Sequence, residues 1–147
     1  MREYLPVSEG SLTQLLTKNR EQLAVFTWLA QHYPDKTVFQ HDLSVSYNNV
    51  GDVQNAQGDL TGALSSYRQS LVIAERLSRQ DPGNADWQRD LSLSYVRIAA
   101  VMEHDRNPGA GRWWRRAYET LSGMKKSGME LSPNDEAALD QLRQKIE

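Results

Sequence analysis

The sequence predicts an all-α protein built by repeating one pair of helices, and two observations carry that prediction. The first is a repeat. Asp42 to Val53, DLSVSYNNVGDV, returns 48 positions later as Asp90 to Val101, DLSLSYVRIAAV. Without a gap, the correspondence runs back to Gly10 over Gly58. It pairs Arg20 with Arg68, Leu23 with Leu71, Leu29 with Leu77, Pro34 with Pro82, and Phe39-Gln40 with Trp87-Gln88. A looser third copy lays AGRWWRRAY, from Ala110, over ALSSYRQSL, so that Trp114 takes the place of Tyr67 and Ala117 that of Ser70. The offset there is 47, one residue being lost in the turn HDRNPG. The second observation is periodicity: Leu60, Ala63, Leu64, Tyr67, Leu71, Ala74 and Leu77 recur at helical spacing. One such helix pair cannot bury its apolar face alone, so the same face is presented again for a neighbour to cover.

Six helices follow, near 11–32, 37–57, 60–80, 85–104, 109–127 and 133–146. The first has a capping-box pattern at Ser11 to Gln14 and an apolar set Leu12, Leu15, Leu16, Leu23 and Phe26. By the repeat it is a second helix without its first. Its apolar side needs cover from MREYLPV, from another chain, or from an upstream part of a longer array. In the second helix Leu43, Tyr47, Val50, Gly51 and Gln54 share a face. Gly58 suits the left-handed residue that ends it, and Asp59 the cap of the third. DPGN, Asp81 to Asn84, ends the third and caps the fourth, where Leu91, Tyr95, Ile98, Ala99 and Met102 repeat the packed face. The fifth opens on GRWWRRAY. The sixth has a capping box at Ser132 to Asp135 with Pro133 at its first position, and a stripe of Ala138, Leu139, Leu142 and Ile146 opposite a charged face. The organisation expected is an N-terminal segment 1–10, helical repeats over 11–127 and a C-terminal capping helix within 128–147.

The stretch Asn48 to Leu71, NNVGDVQNAQGDLTGALSSYRQSL, resembles a tetratricopeptide repeat. It has a small Gly51 and Ala63 where paired helices come close, the turn GDL, Tyr67 filling the gap, and a small Ser70 before Leu71. The family unit is about 34 residues, so these units are longer. They are more similar to the kinesin light chain branch and to bacterial arrays carrying WQRDLS.SY units. Gln54 stands where the family often has an aromatic residue, and the third copy lacks GDL. The resemblance implies a right-handed α-solenoid of antiparallel helix pairs, acting as a non-enzymatic scaffold that binds a protein or peptide segment in its concave groove.

Composition limits the alternatives. Charged residues are 24% and hydrophobic ones 39%, the balance of a folded domain, and the net charge of -2 gives no general attraction to nucleic acid or anionic membranes. The chain has no cysteine, which removes disulfides and thiolate chemistry and suits the cytoplasm. No apolar run reaches the ~20 residues of a membrane helix. His32, His41 and His104 lie far apart. The sequence-adjacent pairs His41-Asp42 and His104-Asp105 point about 100° apart on a helix, so no catalytic residue, metal site or cofactor is expected. Arg112, Arg115 and Arg116 beside Trp113 and Trp114, with Lys125-Lys126, form a cluster of the kind that can hold single-stranded nucleic acid, against which stands the acidic balance of the whole chain.

The family groove is lined by one stripe of each first helix. With Tyr47 at the centre of the packed face, Val45, Asn48, Asp52 and Asn55 fall on that stripe, with Asn49 beside it. Leu93, Val96, Ala100 and Glu103 follow in the echo. Asparagines can donate to and accept from a partner's backbone. Asp52 and Glu103 beside Val45, Leu93, Val96 and Ala100 point to a partner with apolar anchors and nearby Lys or Arg. Self-association through residues 11–32 is the alternative.

Overall fold

The computed structural model describes residues 8–147 and is all-helical: α1 Glu9–His32, α2 Thr37–Ala56, α3 Leu60–Gln80, α4 Ala85–His104, α5 Ala110–Lys126 and α6 Pro133–Ile146. The expected boundaries agree to within two residues. The start of α1 is corrected. Ser8, not Ser11, is its cap, with the Ser8 side chain accepting from the Ser11 N–H at 3.2 Å and Glu9 placing a negative charge in the first turn. The suggested cover of α1 by Met1 to Val7 lies outside the described residues. The other signals are met. Gly58 is left-handed at φ 80°, Asp59 accepts from the Gly62 N–H at 2.9 Å, and Asn84 accepts from the Trp87 N–H at 3.1 Å. The Ser132 capping box is complete in both directions. Where the third copy lost GDL, Arg106 adopts φ 57° and Asn107 accepts from the Gly109 N–H at 2.8 Å.

Each helix packs on the one that follows it in sequence. One core gathers Ala63, Tyr67, Leu71 and Ala74 of α3 with Leu91, Ile98, Val101 and Met102 of α4 and Ala110 of α5. A second gathers Ala117, Leu121 and Met124 of α5 with Leu139 and Leu142 of α6. Tyr95 and Trp114 pack against both and join them.

The repeat is present in the hydrogen bonds as well as in the letters. Gln40 Nε2 donates to the Ala30 carbonyl at 3.3 Å, and 48 residues on Gln88 Nε2 donates to the Ser78 carbonyl at 3.5 Å. Ser44 Oγ reaches the Ser70 carbonyl at 3.3 Å, and its counterpart Ser92 Oγ reaches the Ala117 carbonyl at 3.0 Å. These serine bonds need close backbones. The small residues at the crossings supply them: Gly51, Ala63 and Ser70 in one unit, Ala99, Ala110 and Ala117 in the next, all buried. Gln54, in the family's aromatic position, is buried and accepts from Ser66 Oγ at 2.6 Å, so its polarity is satisfied inside the α2–α3 contact.

Gly51 is the tightest of these points. A Cβ there would meet the Tyr67 ring at 2.6 Å, and that ring is itself buried and held by its hydroxyl. Gly51→Ala is expected to destabilise the fold by ~1–3 kcal/mol through overpacking. Gly111, inside α5 with nothing within 4 Å of such a Cβ, is the control: Gly111→Ala should be neutral or stabilise by up to ~1 kcal/mol. Thermal melting of the two variants checks both, and equal melting temperatures would contradict this account of the α2–α3 contact.

Candidate functional site

The residues expected to line a groove separate into three places. Val45, Asn48 and Asn49 of α2 and Leu93 of α4 come together in a cleft of about 160 Å³, closed by His41, Asp90, Ser94 and Arg97. Val45 and Leu93 are exposed, at 41% and 44%. The Asn48 Oδ1 is buried in the wall without a hydrogen-bond partner among the described residues, a costly state for an amide oxygen. Asn49 belongs to the α1 contact as well, its carbonyl accepting from Asn19 Nδ2 at 3.3 Å.

Val96 lies in a second, mostly apolar cavity of about 290 Å³ between α4, α5 and α6. Its walls include Leu93, Trp114, Leu121, Ala138 and Leu142, with Gln141 and Lys145 at one side and Arg89 and Asp135 at the other. Leu93 borders both cavities, so the polar cleft and the apolar one are neighbours. Ala100 and Glu103 line neither cavity; they border a hollow with His104 and Arg106 that shares Trp114 and Lys145 with the apolar one. Asn55 is exposed and lines none of these.

The two groove carboxylates are committed to the fold. Asp52 accepts from the Tyr67 hydroxyl at 2.6 Å and from Arg97 Nε at 3.4 Å. Burial, and then the bond to Asp52, raise the Tyr67 hydroxyl far above its ordinary pKa, so it is always the donor. Glu103 accepts from Trp114 Nε1 at 2.7 Å and from Lys145 Nζ at 2.9 Å. The same three-part clamp thus occurs twice: an aromatic of the second helix, an acid of the first helix before it, and a cation of the next first helix. The acid moves by one helical turn between copies, from position 52 to 103, as tyrosine gives way to tryptophan.

His41 also pairs across the repeat. His41 Nε2 lies 2.9 Å from Asp90, the counterpart of its sequence neighbour Asp42, and bridges α2 to α4. Arg89, at the repeat position of His41, bridges α4 to α6 with two bonds to Asp135, Nε to Oδ1 at 2.9 Å and Nη2 to Oδ2 at 2.7 Å. The two tryptophans of the Arg/Trp cluster part company. Trp113 packs beside Tyr95 under the Arg116 guanidinium at 4.9 Å, and Trp114 turns toward Glu103 under Lys145 at 5.0 Å. Among the described residues no three His, Asp or Glu side chains gather as metal ligands, and no helix is long and apolar enough to cross a membrane.

The contribution of α6 to the apolar cavity escapes the sequence reading, which assigns that helix only to capping. Its signal is the Ala138, Gln141, Leu142 and Lys145 stripe at helical spacing. No family model, curated protein or solved structure matches the chain.

The Arg89 guanidinium above all, and hydrogen bonds from Ser132, hold the Asp135 carboxyl below its usual range against the effect of burial. The Lys145 and Trp114 bonds do the same for Glu103. A carboxylate with a lowered folded-state pKa stabilises the protein above its unfolded value and loses that contribution as pH falls through the folded one. Asp135→Asn should therefore melt below the wild type at neutral pH, with the gap closing as pH falls below about 4. Melting curves from neutral pH to about pH 3 measure this, and a constant gap would remove Asp135 from the acid response.

Proposed function

We propose that this chain is a tetratricopeptide-type binding module without catalytic activity. Its helix pairs stack as a right-handed α-solenoid whose first helices α2, α4 and α6 line the concave side and hold an extended segment of another protein. The observation that carries this reading is Leu93, an exposed leucine at the junction of an apolar cavity and a polar cleft. Leu93 shares the walls of one cleft with exposed Val45, and apolar side chains clustered on a surface point to a binding site where a lone one does not. The repeated helix pair and its repeated hydrogen bonds support the solenoid.

The chemistry of the two cavities defines the partner. One large apolar side chain enters the space between α4 and α6, and its backbone crosses Leu93 toward Asn48 and Asn49, whose side chains border the cleft and carry both donors and acceptors. A basic partner has less to gain than the sequence alone implies. Asp52 and Glu103 already bind Arg97 and Lys145, and a lysine from outside would have to displace them. Selection from a random peptide library displayed on phage tests the proposal. Enriched peptides should share an apolar anchor and lose at least ~10-fold in affinity for Leu93→Asp, whose melting should be unchanged because the residue is exposed. Peptides that bind Leu93→Asp as tightly as wild type would place binding elsewhere.

A second reading is self-association through α1, favoured by one observation: Val25, Trp28, Tyr33 and Val38 are each about half exposed around the α1–α2 turn. Trp28 stacks on His32 at 3.9 Å and meets Tyr33 edge-on at 6.2 Å, giving a continuous aromatic surface. Sedimentation velocity over a range of concentrations should then show a dimer that Trp28→Asp dissociates, and a monomer throughout would end that reading.

A further inference from the structure

The second helices carry a charge pattern that neither the packing nor the peptide cleft explains. α3 has three arginines against one glutamate, net +2, and α5 has three arginines and two lysines against one glutamate, net +4. α2, α4 and α6 are net -2, -1 and -1. α1, the remaining second helix, is neutral, so a chain of formal charge -2 carries its net positive charge on α3 and α5.

Position in the repeat sharpens this. Arg20 of α1 corresponds to Arg68 of α3 at the 48-residue offset, and Arg68 corresponds to Arg115 of α5 at the offset of 47. All three are exposed. Neighbouring exposed positions change freely between the copies: Glu21, Gln69 and Arg116 differ, as do Thr17, Ser65 and Arg112. Packing does not require arginine here, because the side chains face solvent. Pairing does not either, since no carboxylate lies within salt-bridge distance of Arg20, Arg68 or Arg115 among the described residues. The carboxylates of the first helices, by contrast, are largely consumed in bridges to one another's cations.

The α3 and α5 parts of this surface adjoin. Both helices pack on α4, and Ala110 at the start of α5 joins Ala63, Tyr67, Leu71 and Ala74 of α3 in one core. Arg76 and Arg112 are exposed on the same two helices and extend the positive area. Exposed Val72, between Arg68 and Arg76 on one stripe of α3, adds an apolar point.

We propose that the arginine surface of α3 and α5 is a docking surface for an acidic protein segment that lies extended across these two helices, its Asp and Glu side chains on successive guanidinium groups. Guanidinium forks suit carboxylates in two-bond geometry. A single-stranded nucleic acid is disfavoured because the tryptophans of α5 offer no free stacking platform: Trp113 lies under Arg116, and Trp114 is held by Glu103 and lies under Lys145. The surface is separate from the cleft beside Leu93 and does not depend on peptide binding there.

Fluorescence anisotropy at low salt, with a fluorescein-labelled oligoglutamate peptide as the probe, tests the proposal. Binding to the wild type should be saturable and weaken with added salt. It should fall by at least ~10-fold in Arg68→Ala with Arg115→Ala, but by less than ~2-fold in the equal-charge control Lys18→Ala with Lys36→Ala. Arg68→Lys with Arg115→Lys keeps the charge and should fall between these, which also provides the comparison if the alanine pair melts early. Equal losses in the arginine and control variants would overturn the proposal in favour of net charge alone, as would no binding by the wild type. Tighter binding of a labelled oligothymidylate, lost in the same arginine variants, would overturn it in favour of nucleic acid.

Discussion

Close approach of paired helices is the constraint on which the rest of this structure depends. Where α2 crosses α3, Gly51, Ala63 and Ser70 leave room for backbone to approach backbone. Where α4 crosses α5, Ala99, Ala110 and Ala117 do the same. Only at that separation can Ser44 and Ser92 reach a carbonyl on the facing helix. Small side chains contribute little apolar area themselves, so the stabilising burial falls to the large residues on either side, Tyr67, Leu71, Ile98 and Leu121. The crossings set the geometry and the flanking residues supply the energy.

Onto that frame the chain adds links that reach past the nearest neighbour. The Tyr67–Asp52–Arg97 and Trp114–Glu103–Lys145 clamps each join three helices, and the His41–Asp90 and Arg89–Asp135 bridges tie first helix to first helix. The links differ in strength. Arg89 makes two short bonds to a carboxylate that is only 9% exposed, whereas the His41 pair is near 40% exposed on both sides and screened by solvent. The α4–α6 cavity is therefore framed by firmer contacts than the α2–α4 cleft.

Much of this was legible in the sequence, because the repeat appears there and its period fixes which residues share a face. Helix limits followed from Gly58, Asp59, Asn84 and Ser132, each with a single physical role. The start of α1 was harder, since both Ser8 and Ser11 precede helix-forming residues and only the actual turn decides between them. Among site residues, Val45, Asn48 and Leu93, brought together by helical spacing and the repeat, do border one cleft. Helical spacing could not say that Asp52 and Glu103 were already engaged, because whether Tyr67 or Trp114 reaches an acid on another helix depends on lateral stagger, which a one-dimensional pattern does not contain. His41 illustrates the same limit: its carboxylate is one repeat away rather than one residue away.

The sequential packing of the six helices also shapes how the protein comes apart. A chain whose tertiary contacts join mainly successive elements need not close long loops to fold, and its stability need not be shared evenly along its length. α1 has a single buried residue, Ala30, while α3 has nine. By that measure α1 is the least firmly held of the six helices and α3 the most, so the amides of α1 should exchange with solvent before those of α3.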